Sequence, residues 1–144
     1  LRWISEKCDA AADSGKWIIF CSHVPFHHNL PPDRAWHVKP EDGQRAFYEI
    51  ADKHKDRILA SFHGHFHCGL RGWADRAPMH EIIFPSALYN EDRRLTKRSV
   101  PGYNLDEFRP GYTKVRLADR TMTLEYTATG SPDSAEKLLT YPAP

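Results

Sequence analysis

No stretch of the sequence stays apolar for the length that a membrane-crossing helix needs, and no signal-peptide pattern stands at its start. The expectation is a soluble chain with no targeting segment in these residues and an unassigned compartment. An excess of one charge is also lacking. Lys and Arg total 20 against 19 Asp and Glu, a net charge of +1, so there is no basic excess of the kind that marks a nucleic-acid platform or a membrane-surface patch. The three cysteines, Cys8, Cys21 and Cys68, include no Cys-x-x-Cys pair. Neither a disulfide framework nor a thiolate zinc site is therefore expected, and buried or half-buried free thiols are the reading. Gly-x-Ser-x-Gly, a glycine-rich phosphate cradle, His-Glu-x-x-His and a cysteine with a base at recognisable spacing are all absent. Internal repeats and low-complexity segments are absent too.

What is present fits one domain's worth of chain: 144 residues, 40% hydrophobic and 12% aromatic, enough to build a core. Eleven prolines and eight glycines point to many loops, and nine histidines are the compositional oddity. The densest group is Ser61-Phe62-His63-Gly64-His65-Phe66-His67-Cys68, directly behind a short apolar run. In an extended segment residues i and i+2 project to one side, so His65 and His67 converge on one ion or straddle two, while Phe66 points the other way, into the core. Gly64, without a Cβ, lets the backbone turn sharply beside a ligand cluster. Upstream, Trp17-Ile18-Ile19-Phe20 leads into Cys21-Ser22-His23-Val24-Pro25, a second histidine just past an apolar run.

The spacing of Trp3, Ile4, Cys8, Ala11 and Ala12 predicts an amphipathic helix over residues 1–12, ended near Ser14-Gly15. Residues 16–22 read as a buried strand, and 26–40, with Pro31, Pro32 and Pro40, as loop. A helix over 41–54 has an apolar stripe of Phe47, Ile50 and Ala51, with Lys53 and Lys55 near its end, where cations suit the helix dipole. Residues 57–62 and 81–85 form further strands, 86–111 a long irregular segment, and 112–127 an antiparallel hairpin turning near Asp119-Arg120. Residues 131–144 are expected as a peripheral tail with one helical turn. Strand, helix, strand, with both histidine groups just beyond strand carboxyl ends, is where open α/β sheets place ligands.

An apolar strand ending in His followed by Pro, then a strand ending in Gly-His-x-His, resembles the last two metal-ligand blocks of the calcineurin-like metallophosphoesterases. The resemblance extends over most of the chain, including Pro85-Ser86-Ala87-Leu88-Tyr89-Asn90 and the hairpin. It implies an α/β (α+β) chain: the carboxyl-terminal part of a two-layer β-sandwich flanked by helices, over residues 1–130. It also implies metal-dependent hydrolysis of phosphate mono- or diesters with two divalent or trivalent ions (Mn, Fe or Zn) that polarise a phosphoryl oxygen and lower a bound water's pKa. Position by position, His23 and His65 look like ligands of one metal and His67 like a ligand of the other. The family's earlier blocks, Asp-x-His, Gly-Asp-x-x-Asp and Gly-Asn-His, do not precede His23. The chain opens on Leu1, and the missing half is expected upstream, in a second polypeptide or in a second copy of the chain. No catalytic residue other than metal ligands is assigned.

Each assignment has a plainer counterpart. His65 and His67 would otherwise be a histidine-rich surface turn, and a strand-end histidine such as His23 is by itself more often a hydrogen-bonded structural residue. His63 is outside the resembling motif and reads as structural. His27 and His28 either line a cleft for a phosphate-ester substrate or are merely exposed. Arg93 and Arg94, with Lys97 and Arg98, either grip a phosphate, which guanidinium forks match bidentately, or form a solvated charge group. Trp36 and Trp73 either wall the pocket or pin their own loops. The alternative function is a non-catalytic metal-binding or interaction domain that keeps the histidine turns without the hydrolytic half.

Overall fold

The computed structural model describes residues 1–26, 41–65, 79–88, 109–130 and 137–143. Among them it is a mixed α/β chain with two α-helices, a parallel three-strand sheet and an antiparallel three-strand sheet. Contacts divide the chain into two compact units, one of Leu1–His63 with Asp75–Ile82 and Pro144, the other of Gly64–Ala74 with Ile83–Ala143.

The first unit opens with α1 (Arg2–Asp13), whose end carries the predicted stop. Gly15 takes a positive φ of 68°, which a residue without Cβ adopts at no steric cost. That turn lets Lys16 and Gly15 donate back to the Ala11 and Ala12 carbonyls at 2.9 and 3.0 Å, the two bonds of a Schellman end. Cys8 is the buried residue of α1; Trp3, predicted on its inner stripe, is 67% exposed. Strand β1 (Ile18–Ser22) pairs in parallel with β2 (Ile58–His63), with Ser22 opposite His63, and β3 (Glu81–Ile83) flanks β2 on its other side. As the central strand, β2 buries Ile58, Leu59, Ala60, Ser61 and His63. Between β1 and β2 in sequence lies α2 (Glu41–Lys53), which drives Phe47 and Ala51 into a core with Cys8, Ile18, Ile58 and Met79. An apolar groove of about 490 Å³ runs between α1 and β1, lined by Trp3, Ile4, Cys8, Ala11 and Ile18 among others.

The second unit holds the predicted hairpin. Strand β4 (Gly111–Ala118) and β5 (Thr121–Ala128) pair antiparallel around a two-residue turn, Asp119 (φ 48°) and Arg120 (φ 59°). Positive φ at both central residues is the I′ geometry whose twist matches that of the strands. Met122, Leu124 and Tyr126 alternate into the core, each 0% exposed. The Tyr126 hydroxyl donates to the Arg109 carbonyl at 2.8 Å. Its ring lies so close to Gly111 that a Cβ there would overlap it and the Thr127 carbonyl oxygen.

Part of the predicted tail is a strand. β6 (Lys137–Pro142) pairs antiparallel with β5, from Thr121 opposite Pro142 to Tyr126 opposite Lys137. The open edge of β5 offers a ladder of backbone donors and acceptors, and extended pairing sets six residues along it where a helical turn would leave that edge bare. No helix among the described residues is long and apolar enough to cross a membrane.

Candidate functional site

The two motif turns leave the ends of neighbouring strands. His23 follows β1 directly and is exposed, while His65 stands two residues beyond β2, half-buried, with a φ of 67°. A left-handed conformation in the turn is thus carried by His65, a residue type enriched at positive φ, although the sequence suggested Gly64 for the sharp turn. His67, His27, His28, Arg93, Arg94, Lys97, Arg98, Trp36 and Trp73 lie outside the described residues.

Beneath the β1 turn sits a polar network that the motif reading does not contain. His63 and Glu81 have fully buried side chains, with His63 Nε2 3.2 Å from Glu81 Oε1. Glu81 Oε1 also accepts the Phe26 backbone amide at 2.7 Å, and Oε2 accepts the Tyr48 hydroxyl of α2 at 2.8 Å. Burial alone would push the Glu81 carboxyl up. The bonds from His63, Tyr48 and the Phe26 amide, with the attraction of His63, outweigh that and hold it below the usual carboxylate range. The Tyr48 phenol is pushed far above its ordinary value, by burial first and then by the Glu81 charge and hydrogen bond.

Both ring nitrogens of His63 face polar partners. Ser22 Oγ donates to the Val24 carbonyl at 2.9 Å and lies 2.9 Å from His63 Nδ1. On the other edge of the ring, Nε2 faces Ser61 Oγ at 2.9 Å and Glu81. Around this network Phe26 stacks on Phe47 with centroids 4.0 Å apart and meets the His63 ring edge-on at 5.4 Å, and Pro25 is fully buried.

The donor set itself tests a metal pair. Among the described residues no group of three or more His, Cys, Asp and Glu side chains is placed to hold an ion. Among the described residues Glu81 has three partners on its two oxygens, and it has no exposed surface, so it is not an available carboxylate ligand. Two divalent ions require anionic ligands as well as imidazole. The described residues therefore do not fit a metal pair by themselves.

Sequence reasoning missed Glu81 and Tyr48, and it gave His63 a structural role without finding its partners. A usable signal was present: Ser61 and His63 alternate as polar residues at the end of a strand expected to be buried, and buried polar side chains require partners. Compared with known family models and with curated proteins, the chain matches none.

Proposed function

We propose that the chain is the carboxyl-terminal part of a calcineurin-like metallophosphoesterase with a two-layer β-sandwich fold, and that the parent protein hydrolyses phosphate mono- or diesters. His23, His65 and His67 are its metal ligands, and the anionic ligands come from outside these 144 residues. The observation that carries this reading is the placement of the two motif turns. His23-Val24-Pro25 and Gly64-His65 leave the ends of adjacent parallel strands whose last residues, Ser22 and His63, are paired. When bound, such a metal pair polarises the phosphoryl group; this chain contributes imidazole donors held on strand ends. His27, His28, Arg93 and Arg94 are the proposed contacts to the phosphate ester.

A second reading is a non-catalytic metal-binding or interaction domain. It is favoured by the commitment of Glu81 to its own network.

The test is elemental analysis of the purified chain after loosely bound ions are removed. A metal-to-protein ratio of one or less, lost on replacing His23 and His65 by Ala, with negligible phosphatase activity, is expected. A ratio near two with ordinary metal-dependent activity would overturn the division of ligands between this chain and another segment. No metal at all, with or without the missing half, would overturn the metallophosphoesterase reading.

A further inference from the structure

We infer that Glu81 is the positioning residue of the turn that carries His23. Its link to metal ligation rests on the functional reading above; the clamp itself rests on geometry alone.

The turn after β1 is tied down at two points, and both ties lead to Glu81. Directly, Glu81 Oε1 holds the Phe26 amide at 2.7 Å. Indirectly, Glu81 meets His63 Nε2 at 3.2 Å, His63 Nδ1 is hydrogen-bonded to Ser22 Oγ at 2.9 Å, and Ser22 Oγ–H donates to the Val24 carbonyl at 2.9 Å. His23 lies between these ties. Tyr48 adds α2 to the assembly, and the Phe26 ring stacked on Phe47 holds the far side of the turn against the same helix.

This arrangement performs for a strand-end histidine what a buried orienting partner does for a ligand. It restricts the backbone before any ion arrives, so less ordering is left to be done on binding. The effect of Glu81 on His23 passes through the turn. A carboxylate is needed because it alone accepts from the Phe26 amide, Tyr48 and His63 together without contributing a proton of its own.

The test uses the whole chain, first without metal. In Glu81→Gln, amide exchange at Phe26 is expected to speed up roughly 10- to 100-fold relative to wild type, the factor a charge-assisted hydrogen bond carries, while Leu124 in the other unit keeps its protection. In Ser22→Ala, which removes one hydroxyl and leaves the core intact should Glu81→Gln fail to fold, the His63 ring signals seen by imidazole ¹H–¹⁵N spectroscopy are expected to shift as Nδ1 loses its partner. Titration with Zn²⁺ alone is then expected to show weaker binding by about 10-fold or more in both variants. Unchanged Phe26 exchange in Glu81→Gln, or unchanged His63 ring signals in Ser22→Ala, would overturn the clamp. Equal Zn²⁺ affinity in wild type and variants would overturn the positioning role. A wild type that binds no Zn²⁺ while Phe26 exchange still depends on Glu81 would sink the functional reading and leave the clamp supported.

Discussion

Replacing Phe47 by Ala is expected to cost about 3–5 kcal/mol of stability, the range for emptying a well-packed aromatic site. Phe47 is 1% exposed, with ring centroids 4.0 Å from Phe26 in a stack, 5.0 Å from Phe20 edge-on and 5.7 Å from Tyr48. Transfer of the side chain out of water accounts for about 1.5–3 kcal/mol. The two nearer ring pairs contribute about 0.5–1.5 kcal/mol each, and the residual cavity adds to the loss. Against a total domain stability of about 5–15 kcal/mol, that is a large share. Phe47→Leu keeps most of the volume and loses the ring geometry, so about 1–2 kcal/mol is expected. Urea unfolding followed by far-ultraviolet circular dichroism and tryptophan fluorescence measures both, with an unchanged denaturant slope as the sign that folded and unfolded states are otherwise the same. A loss below about 1.5 kcal/mol in Phe47→Ala, or equal losses in the two variants, would refute the assignment of Phe47 as the centre of this aromatic cluster.

Gly111→Ala is expected to destabilise by about 1–3 kcal/mol, since its Cβ would overlap the Tyr126 ring and the Thr127 carbonyl; an unchanged melting temperature would show that the strands shift apart freely. At the I′ turn, Arg120→Gly relieves a side chain held at φ 59° and is expected to raise stability by a few tenths to about 1 kcal/mol, whereas a loss would show that the Arg120 side chain matters more than its backbone. Stability should fall in acid. Because the folded Glu81 carboxyl sits below its ordinary value of 4.5, its contribution is complete above that pH and disappears as pH drops through the folded value; Glu81→Gln should flatten this part of the urea-midpoint profile. At the alkaline end the raised Tyr48 phenol contributes fully below its ordinary value of 10.0, and that contribution declines as pH rises beyond it, a decline Tyr48→Phe should remove.

Much of the architecture was legible because it rests on local periodicity. Phe47 and Ala51 face the core as their four-residue spacing requires, and Met122, Leu124 and Tyr126 do so by alternation. The same logic failed for Trp3, which shares the apolar stripe of α1 and yet lies largely exposed beside the groove, because periodicity assigns a face without saying how far the opposing surface extends. It failed again for β6. Leu138 and Leu139 are adjacent, which breaks alternation, and Pro142 and Pro144 read as an ending; the strand exists through its pairing with β5, a long-range fact. The motif histidines could be placed on strand ends from sequence, but Glu81 could not be joined to His63. A glutamate opening the run Ile82-Ile83-Phe84 reads as the wet end of a strand, and only the fold brings it beside a residue 18 positions earlier.

The contrast between the two sheets sets an order of events during folding. Strands β4 and β5 meet across a two-residue turn, so their pairing is among the fastest steps a chain can take, on the order of 1–10 μs for a hairpin. Strand β1 must find β2 in parallel with Ile18 and Ile58 forty positions apart, and the closure entropy is spent before any of those contacts form. Pulse-labelled amides of Leu124 and Tyr126 should therefore be protected before those of Ile19 and Ala60. During that interval the apolar residues of β1 remain uncovered, which makes the amino-terminal unit the part of the chain most exposed to aggregation during refolding.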